Sequence, residues 1–393
     1  MNGKLTQEER DQVLLDKLFM TLDEVIEEPK EYLFRPYIPI GKITGINAIP
    51  GTGKTKFGDG LAAHVTAGTP LCDGLPCGKS GPVIIFSQED DAVDHEKTVM
   101  ASGGVKSKLH VLRETDEALD WLSKNPLTFS SPIVETAIRA FKPVLVIFDP
   151  IQKFMGSIDS NSQTATSVAL TPLVKLARKY HCAIVLISHA GKGNDNSLQA
   201  KAIGSTNIVG MMRSMLSIVP DPEYPEENIA IHTKSNNVRG ESIRFKILPI
   251  PDDEDFAEVH FVRTEKYTER DYRRALKQVE QKRKDAEITE DDPVVSTITH
   301  LAEQNNGFVR ICQPDLAKAV DMIGGDTLTD SMNDLCKKYG NWLLQNRGIA
   351  VSTDTPRDLR PFHLSNTTIM PSKLKARVFT IKKINYTSQP HIF

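Results

Sequence analysis

Lys54 and Thr55 close the octet Ala48-Ile49-Pro50-Gly51-Thr52-Gly53-Lys54-Thr55, which has the spacing of a phosphate-binding loop. Glycines at 51 and 53 let consecutive backbone N–H groups turn toward phosphate oxygens, Lys54 can reach the β and γ oxygens, and the Thr55 hydroxyl can ligate Mg²⁺. Pro50, Gly51, Thr52, Gly53, Lys54 and Thr55 are therefore the candidate nucleotide-binding residues. Ala48 stands where such loops often carry their first glycine, a small residue in place of a small one. Three further polar positions end apolar runs. Asp149 follows Val144-Leu145-Val146-Ile147-Phe148 and is placed to hold Mg²⁺ through water; a turn cap is its bland alternative. Glu89 follows Val83-Ile84-Ile85-Phe86 after Ser87-Gln88 and is the candidate base that activates a water. Asp90 is its competitor, but the longer glutamate arm leaves more room for the water. His189 follows Ala183-Ile184-Val185-Leu186-Ile187-Ser188 and is placed to sense a γ-phosphate, unless it is only a satisfied structural histidine. Lys54, Glu89, Asp149 and His189 thus form a candidate catalytic set for ATP hydrolysis, with Thr55 and Asp149 on the metal.

These residues need a scaffold that brings strand ends together. Lys42 to Asn47 reads as a buried strand, and Lys56 to Val65 carries Phe57, Leu61, Ala62 and Val65 at helical spacing, so the loop lies where a strand feeds a helix. Short continuous apolar runs at 83–86, 144–148 and 183–187, with a helix predicted over Val168–Tyr180, imply a mainly parallel sheet covered on both faces. Ligands of such sheets sit at the carboxyl ends of the strands, where Glu89, Asp149 and His189 fall. Phe154, the only aromatic residue in the loop after Asp149, reads as core. Asn228–Thr233 and Ser242–Leu248 read as an antiparallel extension of the sheet, which closes near Val262.

The 393 residues exceed one ordinary core, which implies a larger domain and an appendage. A net charge of −3 gives no whole-chain attraction to nucleic acid, so any such contact is local. No apolar run reaches the roughly 18 residues of a membrane span, and Met1–Asp11 is too charged for a signal peptide. A cytoplasmic protein with no membrane partner is expected. The five cysteines lack metal-ligand spacing and read as reduced thiols. The first thirty residues are acidic and weakly helical, with Leu14, Leu15, Leu18 and Phe19 at helical spacing. From Glu265 to Glu290 the charge density suggests a solvated helix. Beyond it, helices over Val294–Ala302, Pro314–Val320 and Thr329–Asn346 and a strand over Arg377–Ile381 suggest a small α+β, winged-helix-like domain. Its basic residues from Arg357 to Lys383 could touch phosphates or simply be solvated. The expected boundaries are 1–32 (helical segment), 33–264 (ATPase domain), 265–292 (linker helix) and 293–393 (C-terminal domain).

The order Pro39-Ile40-Gly41-Lys42, Ser87-Gln88-Glu89-Asp90, Phe148-Asp149-Pro150, Ser188-His189 with Lys192, Gly204-Ser205 and Lys234-Ser235-Asn236 resembles the RecA-like ATPases of the plasmid RepA helicase type over roughly 33–250. The resemblance implies a RecA-like P-loop NTPase core, a hexameric ring with ATP and Mg²⁺ between subunits, and single-stranded DNA threaded through the centre. It also implies that Glu89 activates water and that a basic residue of a neighbouring subunit completes the site. Lys234 matches the family's motif for that residue, with Arg213 and Arg239 as further candidates. Lys192 and Lys201, in the polar segment after His189, are the candidates for gripping a DNA backbone. The expected function is DNA unwinding in replication of a plasmid, phage or other mobile element, with a replication partner engaged through the C-terminal domain. Two alternatives share these residues: a RecA-like ATPase that remodels DNA or protein without unwinding, and an ATP-dependent DNA-binding regulator. An intact Glu89 favours turnover over a mere switch.

Overall fold

A computed structural model describes residues 6–26, 29–156, 163–189, 198, 206–251, 253–286, 288–312, 316, 319, 335–354, 362–364, 367–369 and 378–384. The chain divides into two compact units, Met1–Arg273 and Arg274–Phe393. The first begins with α1 (Gln7–Leu18), β1 (Tyr32–Phe34), β2 (Ile38–Pro39), β3 (Ile43–Ala48), α2 (Lys54–Ala67) and β4 (Val83–Ser87). It continues with α3 (Ala92–Ala101), β5 (Leu109–Val111), α4 (Asp116–Lys124), α5 (Pro132–Phe141), β6 (Leu145–Asp149), α6 (Gln163–Tyr180) and β7 (Ala183–His189). Then follow α7 (Thr206–Met211), β8 (Ser214–Pro220), β9 (Asn228–Ser235), β10 (Ser242–Ile250), β11 (Asp253–Glu265) and α8 (Glu269–Ala286), which crosses the division between the units.

Nine strands form one sheet in the order β11-β10-β9-β8-β3-β7-β6-β4-β5. From β8 to β5 all neighbours are parallel; β9 and β10 are the antiparallel extension expected over 228–233 and 242–248, and β11, which was not expected, adds a further antiparallel strand. The parallel strands read as continuous apolar runs because both faces are covered. Successive side chains point to opposite faces: Leu145 and Ile147 pack with Phe57, Leu61 and Val65 of α2, while Val146 and Phe148 pack with Val134 and Ile138 of α5 and Leu170 and Leu173 of α6. Phe154 is fully buried and lies 5.1 Å from the Phe148 ring, so it is core, as its isolation in a polar segment suggested.

Strand register sets the site. Ala48 of β3 stands opposite His189 of β7, and Ser87 of β4 opposite Asp149 of β6, so the polar ends of four strands come level at one edge of the sheet. The helix expected over 168–180 starts earlier, at Gln163, and keeps Pro172 in its interior. α1 is closed by a capping box between Thr6 and Glu9 and buries none of its residues.

The second unit contains α9 (Pro293–Gln304), β12 (Phe308–Cys312), α10 (Leu335–Lys338), α11 (Gly340–Arg347), β13 (Ile349–Asp354), β14 (Phe362–Leu364), β15 (Thr367–Ile369) and β16 (Val378–Lys383). β12, β16 and β13 form an antiparallel sheet, and β14 pairs with β15. Val294, Val295 and Ile298 of α9 pack with Trp342, Leu343, Ile349, Phe379 and Ile381 in a separate small core. The single helix expected over 329–346 is, among the described residues, two short helices with Tyr339 between them. Gly340 weakens the helix there, and the Tyr339 hydroxyl reaches Asp292 Oδ2 at 3.2 Å, at the cap of α9. Most of Pro314–Val320 lies outside the described residues.

Candidate active site

The loop between β3 and α2 is built around its glycines. Gly53 has φ +74° and caps α2, and a Cβ there would come within 1.9 Å of the Ile247 side chain, so any larger residue is strained at this position. The Thr52 hydroxyl donates to the Ile49 carbonyl at 2.7 Å and braces the turn. Lys54 opens α2, whose first amides have no partner inside the helix and face the direction from which an anion would approach.

Lys54 is the hub of the site. Its ammonium donates to Glu89 Oε2 at 3.2 Å, to Asp149 Oδ1 at 3.3 Å and to Thr55 Oγ1 at 3.3 Å. The Thr55 hydroxyl donates to Asp149 Oδ2 at 2.5 Å, so both oxygens of this buried carboxylate are engaged. Glu89 Oε2 also lies 3.4 Å from His189 Nε2. The strand-end residues expected from sequence therefore converge on one point, and Glu89 rather than Asp90 carries the contacts to Lys54 and His189. The Ser87 hydroxyl receives the Asp90 amide at 3.2 Å, and the Gln88 amide donates to the Asp149 carbonyl at 3.2 Å, which pins the Glu89 segment to the end of β6.

The electrostatics follow from that crowding. Burial pushes the Asp149 carboxyl up despite the pull of Lys54 and Thr55. Burial also raises Glu89, but Lys54 and His189 outweigh it and hold its carboxyl below the usual range. Burial lowers Lys54, and Asp149 and Glu89 more than reverse this, so the ammonium stays charged.

The donor set suits a hard cation. A threonine hydroxyl and one carboxylate, both oxygen ligands, are what Mg²⁺ takes from a protein when phosphates and waters fill its other positions. Among the described residues no cluster of three or more His, Cys, Asp or Glu could cage a metal by itself. The site thus fits a magnesium ion that arrives with a nucleotide.

The three candidate fingers lie elsewhere. Arg213 immediately precedes β8, its amide donating to the Ile43 carbonyl at 2.9 Å at the amino end of β3. That end is about 16 Å along the strand from Ala48, five residues at ~3.3 Å each. Lys234 pairs in register with Met215, near the same edge, and its ammonium donates to the Val209 and Gly210 carbonyls. Arg239 donates to the Thr233 carbonyl at 2.7 Å. None of the three meets the chain's own phosphate loop. Arg213 instead lines a cleft of about 600 Å³ with Lys30, Lys42, Arg178 and His181. Burial lowers the Lys42 ammonium, and the charges of Arg178, Arg213 and Lys30 lower it further; Glu31, the carboxylate in the lining of this cleft, is engaged by His181 at 2.9 Å. Lys192 and Lys201 lie outside the described residues.

Sequence reasoning missed the polar side chains behind the loop. Asn47 receives the Ser217 hydroxyl at 2.7 Å and donates to the Leu198 carbonyl at 3.1 Å, which ties the strand before the loop to β8 and to the segment after β7. Asp59 and His95 form a second buried pair. A polar residue inside an apolar helical pattern was the available signal for Asp59; for His95 there was none.

No helix among the described residues is long and apolar enough to cross a membrane. No curated protein matches the chain. The parallel sheet, the loop between β3 and α2 and the convergence of Lys54, Thr55, Glu89 and Asp149 make the first unit a P-loop NTPase core, and residues 8–195 match the family model of the AAA domain, a P-loop ATPase domain of the AAA type.

Proposed function

We propose that this ATPase works as a ring-forming DNA helicase of the RepA type in replication of a mobile element, with ATP shared between neighbouring subunits. The observation that carries the reading is the cation cluster of Lys30, Lys42, Arg178 and Arg213. It stands at the amino edge of the sheet, across the strands from the chain's own phosphate loop, and so is of use to a nucleotide only if that nucleotide is held by a second copy. A head-to-tail contact of this kind makes a ring when its rotation closes on itself.

In this reading the α2 amides and Lys54 hold the β and γ phosphates, while Thr55 and Asp149 hold the magnesium ion, which when bound neutralises phosphate charge. Drawing Lys54 toward the phosphates relieves Glu89 of its ammonium partner, so its carboxylate is better able to orient and deprotonate the attacking water. His189, one contact away, reports the loss of the γ-phosphate to the segment that follows β7. Arg213 of the adjacent copy supplies late positive charge. Lys192 and Lys201 belong to that segment and are proposed to grip single-stranded DNA, with a replication partner met through the C-terminal unit.

The test is hydrolysis and strand separation by the full chain. Stimulation of ATP turnover by single-stranded DNA, together with unwinding of a forked duplex, supports the reading. Turnover indifferent to DNA and without strand separation rejects it in favour of a remodelling ATPase.

A further inference from the structure

Asp59 stands on α2 one turn beyond Thr55, and His95 stands on α3 one turn beyond its cap, Asp91. Each is 1% exposed, and Asp59 Oδ1 lies 2.7 Å from His95 Nδ1. Their outer atoms, Asp59 Oδ2 and His95 Nε2, are buried and have no hydrogen-bond partner. A buried ion pair with one acceptor and one ring nitrogen unmet is a poor way to gain stability, since an apolar pair of the same volume does as well or better. What such a pair does supply is direction. It fixes the distance and rotation between two helices in a way that sliding leucines do not.

The two helices are the ones whose relation matters most at the active site. α2 begins with Lys54 and Thr55; α3 begins three residues after Glu89. A second cross-link runs beside the first, Lys56 Nζ to Thr98 Oγ1 at 2.8 Å, one turn back on α2 and one turn on along α3. The first amide of α3 and the preceding turn are held in their turn: Ala92 N–H donates to Glu114 Oε1 at 2.6 Å, and the Ser87 hydroxyl donates to the Asp90 carbonyl at 3.2 Å. Glu89 itself is on the exposed side of this short segment, so its place is set by the elements on either side of it.

We infer that Asp59 and His95 are positioning residues for hydrolysis: their buried bond locks α3, and with it the Glu89 segment, to the helix that holds the phosphates. This rests on the reading of Glu89 as the residue that activates water. Burial pushes the Asp59 carboxyl up to about 6 in spite of His95 and Lys56. Burial pulls His95 down, but the hydrogen bond and charge of Asp59, with Asp90 and Asp149 beyond, leave it raised, so each group holds the other's charge in place.

The experiment compares the full-length chain with the double variant Asp59→Leu/His95→Leu, which replaces the directional bond by apolar packing, and with Asp59→Asn, which keeps an acceptor for the imidazole. Amide hydrogen exchange is read over residues 88–95 and over α2, and ATP turnover as kcat and KM separately. The double variant is expected to exchange about tenfold faster over 88–95 with α2 protection unchanged. Its kcat falls about tenfold to a hundredfold, the cost of a small misplacement of a reacting group, while KM stays within about threefold. Asp59→Asn stays within about threefold of the parent in all three. Wild-type kcat in the double variant, or a kcat loss accompanied by equal loss of α2 protection, overturns the inference. Should the double variant not fold, Asp59→Leu alone, which removes the acceptor and leaves the imidazole in place, is expected to speed exchange over 88–95 about threefold; no change there overturns the inference too. If the unaltered chain shows no turnover, it is the ATPase reading that fails, while exchange over 88–95 still decides whether the pair holds that segment.

Discussion

Glu89→Gln separates binding from chemistry, and the structure sets a size for each. Glu89 contacts Lys54 at 3.2 Å and His189 at 3.4 Å, but its side chain is 35% exposed, so the contacts it loses are screened and worth at most about 1 kcal/mol. Lys54 keeps Asp149 and Thr55, and the loop amides are untouched. ATP affinity should therefore move by less than about fivefold. Turnover has no such reserve, because an amide cannot take the proton of the attacking water. A general base contributes about 10²–10⁴ in rate, or ~2.7–5.4 kcal/mol of barrier. The assay pairs equilibrium binding of a fluorescent ATP analogue with phosphate release at saturating Mg·ATP. Binding retained with turnover down at least about a hundredfold is the expected result. A kcat within about tenfold of the parent refutes the reasoning and moves the base to Asp90 or another group.

Gly53→Ala should weaken ATP binding at least about tenfold by equilibrium titration, because its φ of +74° disfavours a side chain and the added Cβ meets Ile247; adding Ile247→Ala should restore binding only in part, since the backbone strain remains. Arg213→Ala and Lys54→Ala are each expected to abolish turnover alone, whereas mixing the two proteins restores a fraction of it, a recovery that a site within one subunit cannot give. His232 is buried, receives the Gly240 amide on Nδ1 at 2.8 Å and donates from Nε2 to the Ser214 hydroxyl, and burial lowers it to about 4. The unfolded chain protonates near 6.5 while the folded chain does not, so stability is full above pH 6.5 and falls by about 3 kcal/mol as pH drops toward 4. Denaturant midpoints across that range, steeper for the parent than for His232→Gln, check the sign and the size.

The legible parts of this protein are those where one physical requirement dominates. Strands β3, β4, β6 and β7 are buried on both faces, so they read as unbroken apolar runs, and the polar residues at or just past their ends stand out against them. That is why Lys54, Glu89, Asp149 and His189 could be picked out and why they converge. The stretch from 92 to 141 gave no such signal. β5 has three half-buried residues and so no unbroken apolar run, whereas α4 and α5 carry apolar residues at helical spacing that sequence reasoning missed. The Asp59–His95 pair was invisible for another reason: its partners are 36 residues apart, and only the packing of α2 against α3 makes two isolated polar residues into one feature. Arg213 carried no hint of its neighbours either, because Lys30, Lys42 and Arg178 come from three separate parts of the chain. In the second unit the apolar spacing runs unbroken past Gly340, so residues 329–346 read as one helix although glycine weakens it there.

The most direct test of the site is phosphate release from Mg·ATP by the full chain beside its Lys54→Ala variant. Among the described residues Lys54 is the one side chain that meets Thr55, Glu89 and Asp149 together, so its removal should end turnover and leave the two carboxylates to repel each other. Steady hydrolysis by the parent, at least about a hundredfold above the variant, is the expected result. Equal rates from the two proteins, or none from the parent with Mg·ATP bound, contradict the assignment of this cluster as an ATP-hydrolysing centre.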